Sequence, residues 1–219
     1  NVIGGIDALN YDARITSPAD LYFEPADGLP GTVTTNHTTS VQANVNASGV
    51  HKWTEDKFTA TTSFGLRKER RQSDQLLDEA QNVPAGAGNI RLGGQQTVGE
   101  GINLIKDLSY YAQEEFLTLS DRLLLTAALN SERSSVNGDD KKFYSYPKFA
   151  ASYRLPWLPS VFDEFKLRAA YGKAGNQPPY GFKFTALTIS VNDGVLGGRP
   201  STIAGNPNIK PETSIESEG

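Results

Sequence analysis

Short stretches of two-residue alternation, joined by connections that are in turn short and long, constrain this chain more than any other feature of it. Along residues 39–50, Val41, Ala43, Val45 and Ala47 alternate with Gln42, Asn44, Asn46 and Ser48. Along residues 57–67, Phe58, Ala60, Phe64 and Leu66 alternate with Thr59, Thr61, Ser63 and Gly65. Leu123, Leu125, Ala127 and Leu129 alternate with Leu124, Thr126, Ala128 and Asn130. The same rhythm sets Phe149, Ala151 and Tyr153 against Lys148, Ala150, Ser152 and Arg154, and Leu167, Ala169 and Tyr171 against Lys166, Arg168, Ala170 and Gly172. A less regular segment runs over residues 106–117. A period of two is the period of a strand, so the pattern predicts about six antiparallel strands and the start of a seventh.

Each strand has one apolar and one polar face. In a soluble sandwich the apolar face points at a second sheet, and in a membrane barrel it points at lipid. The connections separate these readings. Short turns at residues 51–56, 120–121 and 156–164 alternate with longer stretches at 68–105, 131–142 and 173–210, and residues 1–38 read as another long irregular stretch. Long structureless loops are uncommon in compact soluble domains. Loops long on one side of a sheet and short on the other are the habit of outer-membrane barrels, with short periplasmic turns and long extracellular loops.

Aromatics fit the same frame. Trp53 and Trp157 fall in two short turns and Phe116 beside the third, while Phe143, Tyr144 and Tyr146 gather at the opposite end. Amphipathic rings at both ends of the strands would make interfacial girdles. Glu114 fits badly, because it shares its face with Tyr110, Ala112 and Phe116. A place near the headgroups or a local bulge would accommodate it.

Composition removes other classes. Hydrophobic residues make up 37% of the 219, and the net charge is -4. The short run Arg67-Lys68-Glu69-Arg70-Arg71 is broken by an acid and reads as a solvated strand end, so no nucleic-acid partner is expected. No stretch approaches the roughly 20 apolar residues of a membrane helix. Cysteine and methionine are both absent, and the chain opens at Asn1 with no signal-peptide pattern. Together with a final stretch that reads as a strand just begun, this gives the expectation of a piece of a longer chain.

Catalytic chemistry finds little to stand on. His37 and His51 lie in a loop and a turn, and no cysteine nucleophile exists. No spacing of ligands points to zinc. Asn137-Gly138-Asp139-Asp140 lacks the regular acidic spacing of a calcium loop and reads as a turn. The glycine pairs around Gly86, Gly93 and Gly99 lack the lysine and helix of a phosphate loop. Asn36 and Asn46 open glycosylation-type triplets that arise often by chance. No catalytic residue, metal or cofactor is expected.

The stretch Tyr110-Tyr-Ala-Gln-Glu-Glu-Phe-Leu-Thr-Leu-Ser-Asp-Arg-Leu-Leu-Leu-Thr-Ala-Ala-Leu129 resembles a hairpin that recurs in TonB-dependent receptor barrels. Tyr146-Pro-Lys-Phe-Ala-Ala-Ser-Tyr-Arg-Leu155 and Phe165-Lys-Leu-Arg-Ala-Ala-Tyr-Gly-Lys-Ala-Gly-Asn-Gln177 resemble the SusC/RagA branch of that family. Asn206-Pro-Asn-Ile-Lys-Pro-Glu-Thr213 is similar to the segment that opens the branch's next strand. Ala174 stands where the branch often has Thr, and Pro211 where it often has Trp or Pro. Residues 1–105 match only in pattern.

The resemblance implies an all-β, antiparallel up-and-down transmembrane β-barrel segment in the bacterial outer membrane, residues 1–219 being one part of one barrel. The family's complete barrel has about 22 strands around a plug, and neither the plug nor the TonB-contacting segment is in this sequence. The implied function is energised import of nutrients such as oligosaccharides or peptides. The implied partners are the rest of the barrel and its plug, a SusD-like surface lipoprotein, TonB and the lipid bilayer. Leu123, Leu125, Ala127, Leu129, Phe149, Ala151 and Tyr153 are the expected lipid-facing residues. Lys148, Arg154, Lys166 and Arg168 would line the lumen, meeting either solute or the acids of the plug. Tyr180, Phe182 and Phe184 alternate like a short strand and are candidates for stacking on a solute or packing against the lipoprotein. The alternative from another class is a secreted or cell-surface β-sandwich used for binding or adhesion. An enzyme on a β scaffold would need clustered acids that the sequence does not supply.

Overall fold

The computed structural model describes residues 1–21, 28–157, 164–192 and 195–219, with the backbone alone for residues 188–192 and 195–196. Ten strands follow in chain order: β1 (Val2–Ser17), β2 (Thr32–Glu55), β3 (Phe58–Gln81), β4 (Gln95–Thr118), β5 (Leu123–Ser134), β6 (Tyr144–Arg154), β7 (Lys166–Asn176), β8 (Leu187–Asn192), β9 (Val195–Pro200) and β10 (Glu212–Glu218). One 3₁₀ turn, Ile90–Leu92, is the only helical element among the described residues. Eight strands form one sheet in the order β1-β2-β3-β4-β5-β6-β7-β10, and β8 and β9 form a separate hairpin. Neighbours in this sheet are almost all neighbours in sequence, so the chain runs up and down.

The strand total exceeds the expectation from the sequence. Residues 1–38 hold β1 and the start of β2, and most of residues 68–105 is strand, not loop. Part of the extra length went unseen because the outer stretches of β2 and β3, Thr34–Ser40 and Arg70–Gln75, are polar on both faces. Such segments have no apolar alternation to read and are held by the backbone ladder. Connections still tend to alternate in length: 56–57, 119–122 and 155–165 on one side, and 18–31, 82–94, 135–143 and 177–211 on the other. The contrast is narrower than expected, since 135–143 is no longer than 155–165. The proline-flanked turn expected at 156–164 lies mostly outside the described residues.

Two compact units divide the chain. The first comprises residues 1–4, 44–69 and 105–219, and the second residues 5–43 and 70–104. In the second unit, Val33 and Ala80 are fully buried with Val83, and Ala87 and Ile90 pack against them. The 82–94 connection is thus folded back as a small apolar knot. Asn89 caps the 3₁₀ turn by accepting a hydrogen bond from the Arg91 amide (3.0 Å). Polar pairs lace the strands of this unit: Thr39 donates to Asn10 (3.0 Å), Ser40 to Ser73 (3.2 Å), and His37 pairs with Asp12.

In the first unit, buried apolar side chains are few. Val136 and Tyr146 complete the set of buried hydrophobic residues among those described. Neither belongs to the apolar rows of β5 to β7, whose large side chains are exposed or half-buried among the described residues.

Candidate functional site

Residues paired across a sheet share a face, so the register sorts the side chains of the first unit directly. One face carries the rows Thr118–Leu123–Tyr153–Leu167, Phe116–Leu125–Ala151–Ala169, Glu114–Ala127–Phe149–Tyr171 and Ala112–Leu129–Pro147. All seven residues expected to face lipid lie on it. The opposite face carries Leu117–Leu124–Ser152–Arg168, Glu115–Thr126–Ala150–Ala170–Glu218 and Gln113–Ala128–Lys148–Gly172–Glu216. Arg154 and Lys166 are paired on this second face.

Exposure follows the same alternation. Leu125, Ala127 and Leu129 are exposed, whereas Thr126, Ala128 and Asn130 between them are half-buried. Phe149 is 53% exposed and Leu167 54%. A contiguous apolar surface with nothing packed on it marks a site of contact with lipid or another molecule.

The ends of the strands hold the aromatic groups. Trp53 meets Phe58 edge-on with ring centroids 5.7 Å apart, and Phe58 stacks on Phe116 at 5.1 Å. These three rings flank the short connections at 56–57 and 119–122. At the other end, Tyr110 packs against Phe143 at 5.1 Å, and the Arg133 guanidinium lies 5.3 Å over the Phe143 ring. Trp157 is exposed in the 155–165 connection. The base of that connection is closed by the Leu155 amide donating to the Phe165 carbonyl (3.0 Å) and by an Arg154–Glu164 ion pair (2.8 Å).

The four cations expected on the polar face are brought onto one face, although not into one cluster. Arg154 is engaged by Glu164, while no acid among the described residues pairs with Lys148, Lys166 or Arg168. Glu216 shares the row of Lys148, and Glu218 lies one row from Arg168.

Tyr180, Phe182 and Phe184 do not form a strand. They sit in turns in which the Phe184 amide donates to the Gly181 carbonyl (2.9 Å), and Gly181 has a φ of 87° that favours glycine. Phe182 and Phe184 are nevertheless exposed, at 59% and 67%. Lys183 between them turns inward, donating to the carbonyls of Ser135 (2.6 Å) and Asn137 (3.4 Å). The Gly138 amide donates to the Ile209 carbonyl (2.9 Å), and the Asn206 amide to the Phe182 carbonyl (2.9 Å). Three connecting segments are therefore bolted together around Lys183. Sequence reasoning missed this residue. The available signal was a lone cation between two aromatic residues on alternate sides.

Among the described residues, no group of three or more His, Asp or Glu side chains is placed to hold a metal ion. The wall's chemistry is that of two opposed surfaces, one apolar and one charged, with aromatic residues at the strand ends.

A sheet of this kind, up-and-down, antiparallel and apolar on its uncovered face, defines the wall of a membrane-type β-barrel. Residues 5–219 match the model of the TonB dependent receptor-like β-barrel family, and the chain belongs to that family. A curated relative, TonB-dependent receptor P26 of Formosa agariphila, is 36% identical over 107 residues, covering 43% of this chain and 10% of that protein. The RagAB peptide importer in its closed-closed state is similar in fold, with a TM-score of 0.78 at 16% identity over 99% of this chain. Its open-open state gives 0.78 at 15% identity. This chain covers 25% of the matched chain in each of these structures.

Proposed function

We propose that the chain forms part of the wall of an outer-membrane importer that takes up nutrients, such as peptides or oligosaccharides, in a TonB-dependent manner. The observation that carries this reading is the register of β4 to β7, which gathers Leu125, Ala127, Leu129, Phe149, Ala151 and Tyr171 onto one uncovered face and Lys148, Arg154, Lys166 and Arg168 onto the other. The first face meets lipid and the second lines the lumen. Strands β5, β6 and β7 have 12, 11 and 11 residues, close to the roughly 9–11 of a tilted membrane crossing. Strands β2, β3 and β4, at 24 residues each, have more than a crossing needs. The stretches Thr34–Ser40 of β2 and Arg70–Gln75 of β3 are polar on both faces and stand in water.

In this reading the partners are the remaining strands, a plug, a SusD-like surface lipoprotein and TonB. Lys148, Lys166 and Arg168 are the cations left for acids of the plug or for a passing solute. Tyr180, Phe182 and Phe184, held out on the turns anchored by Lys183, offer rings to solute or to the lipoprotein. The family membership and the RagAB-like fold support import, and the substrate class is ours to propose. The test is uptake of labelled peptides and oligosaccharides by cells carrying the full-length receptor. Uptake of one class that stops when the inner membrane is de-energised is expected, and equal uptake in de-energised cells would contradict it.

A further inference from the structure

The apolar face changes character toward the long connections. Arg133 pairs with Leu108, two residues beyond the Tyr110–Ser131 pair, and so lies on that face. Lys106 is two residues further out along β4 and shares the face by strand alternation. Its amide donates to Ser135 Oγ (2.9 Å), and its carbonyl accepts from the Ser135 amide (3.0 Å). Lys68 of β3 joins them. Thr62 lies on this face, its hydroxyl donating to Glu114 Oε2 at 2.6 Å, and Lys68 is six residues along the same strand. A side chain at Gly65 would meet the Tyr111 ring, so β3 runs antiparallel to β4 and Lys68 reaches the level of Leu108. Asp107 and Glu132, the acids of this level in β4 and β5, are on the opposite face. No acid among the described residues forms an ion pair with Lys68, Lys106 or Arg133.

The height of these cations on the wall follows from the register. Leu108 and Arg133 stand ten residues from the Thr118–Leu123 pair at the short connections. Ten residues span ~33 Å of strand, and a tilt of about 40° reduces this to roughly 25 Å, the height of the apolar band of an outer-membrane barrel. The cations therefore sit at the margin of the band and not within it. The rings of Tyr110 and Phe143, with centroids 5.1 Å apart, mark the same margin. The Arg133 guanidinium lies over the Phe143 ring at 5.3 Å. A guanidinium stacked by its face keeps its N–H edge open.

We propose that Lys68, Lys106 and Arg133 form a binding site for the phosphate of an anionic lipid in the leaflet nearest the long connections. Lys68 and Arg133 flank Leu108 from the two neighbouring strands, which sets their backbones about 10 Å apart, within reach of two long side chains. The guanidinium takes phosphate through parallel hydrogen bonds, and the two ammonium groups add point charges. Charge complementarity selects the occupant, because a zwitterionic headgroup would leave this cationic margin uncompensated. The direction of the chain fits as well. From Arg133 toward the short connections, Leu129, Ala127 and Leu125 follow on the same face. Acyl chains hanging from a phosphate at the margin therefore run over apolar rows into the bilayer, which a soluble phosphate could not use. The inference rests on the proposed reading that this face meets lipid.

The probes are phosphatidylglycerol and phosphatidylcholine, offered in equal amounts in nanodiscs to the full-length receptor. Lipids retained after transfer to detergent are counted by native mass spectrometry. Wild type should retain phosphatidylglycerol over phosphatidylcholine by about fivefold, the effect of roughly one basic residue at a membrane surface. Arg133→Gln and Lys106→Gln should each bring the preference below about twofold, and Arg133→Lys, which keeps the charge, should retain most of it. Lys52→Gln removes a charge near the 56–57 connection, at the other end of the strands, and should leave the preference unchanged. Equal retention by wild type overturns the site. So does a preference that survives Arg133→Gln combined with Lys106→Gln, one that falls as far with Lys52→Gln or Arg133→Lys, or a second polypeptide found seated over Arg133. Spin-labelled Leu129→Cys separates the two levels of failure. If lipid quenchers reach Leu129 but no headgroup preference exists, only the site is lost; if they do not reach it, the reading of the face itself is wrong.

Discussion

Gly31 has a φ of 89°, and a Cβ built on it would lie 2.4 Å from the carbonyl oxygen of Val83. Its own carbonyl accepts a hydrogen bond from the Val83 amide at 3.0 Å, beside the buried Val33, Ala80 and Val83. Backbone conformation and space both demand glycine, so Gly31→Ala should cost about 1–3 kcal/mol of local stability. Faster proteolytic cleavage within 82–94 in the folded full-length protein would show it. The turn at 119–122 poses the opposite case: Leu119, Ser120 and Asp121 all have φ between 55° and 64°. A left-handed residue with a side chain is strained by roughly 1–2 kcal/mol, and Leu119 is exposed, so little packing is at stake. Leu119→Gly should raise stability by up to about 1 kcal/mol, read as a higher midpoint of heat unfolding in detergent. Neither requirement was legible in the sequence. A glycine in a polar stretch does not announce which carbonyl it lies against, and Leu119 continues an alternating run up to the turn.

Strands β5, β6 and β7 were readable because their two faces differ, one apolar and one polar. Where one face of a strand is apolar and the other polar, the sequence must alternate, and the seven lipid-side candidates shared a face as a result. The outer stretches of β2 and β3, wet on both sides, carry no such constraint and were read as loop. The Lys183 junction escaped for a related reason: its hydrogen bonds run to backbone carbonyls, which no sequence pattern encodes. The two-faced character of β5 gives a sharp expectation. Leu125→Arg places a cation on the apolar face and should destabilise the barrel by about 2–4 kcal/mol, whereas Thr126→Arg on the other face should stay within about 0.5 kcal/mol. Heat-modified mobility of the full-length variants on gels measures the difference. Comparable losses for both would mean that β5 does not separate two environments.

The eight-stranded sheet ends in β1 on one side and β10 on the other. Among the described residues, each of these strands has an edge of backbone groups with no strand beside it, and in lipid every unsatisfied group costs several kcal/mol. This chain covers 25% of the RagAB chains it resembles. Strand polarity, connections and motif order made the barrel class legible from sequence. Substrate and partners were not, because they depend on surfaces this wall shares with the rest of the protein. The most direct measurement is a cysteine scan of residues 123–130 in the full-length receptor in its membrane, using a water-soluble and a lipid-restricted thiol reagent side by side. We expect strict alternation, with Leu123, Leu125, Ala127 and Leu129 reached from lipid and Leu124, Thr126, Ala128 and Asn130 reached from water. Reaction of both sets with the water-soluble reagent, or of neither with the lipid-restricted one, would contradict a membrane wall.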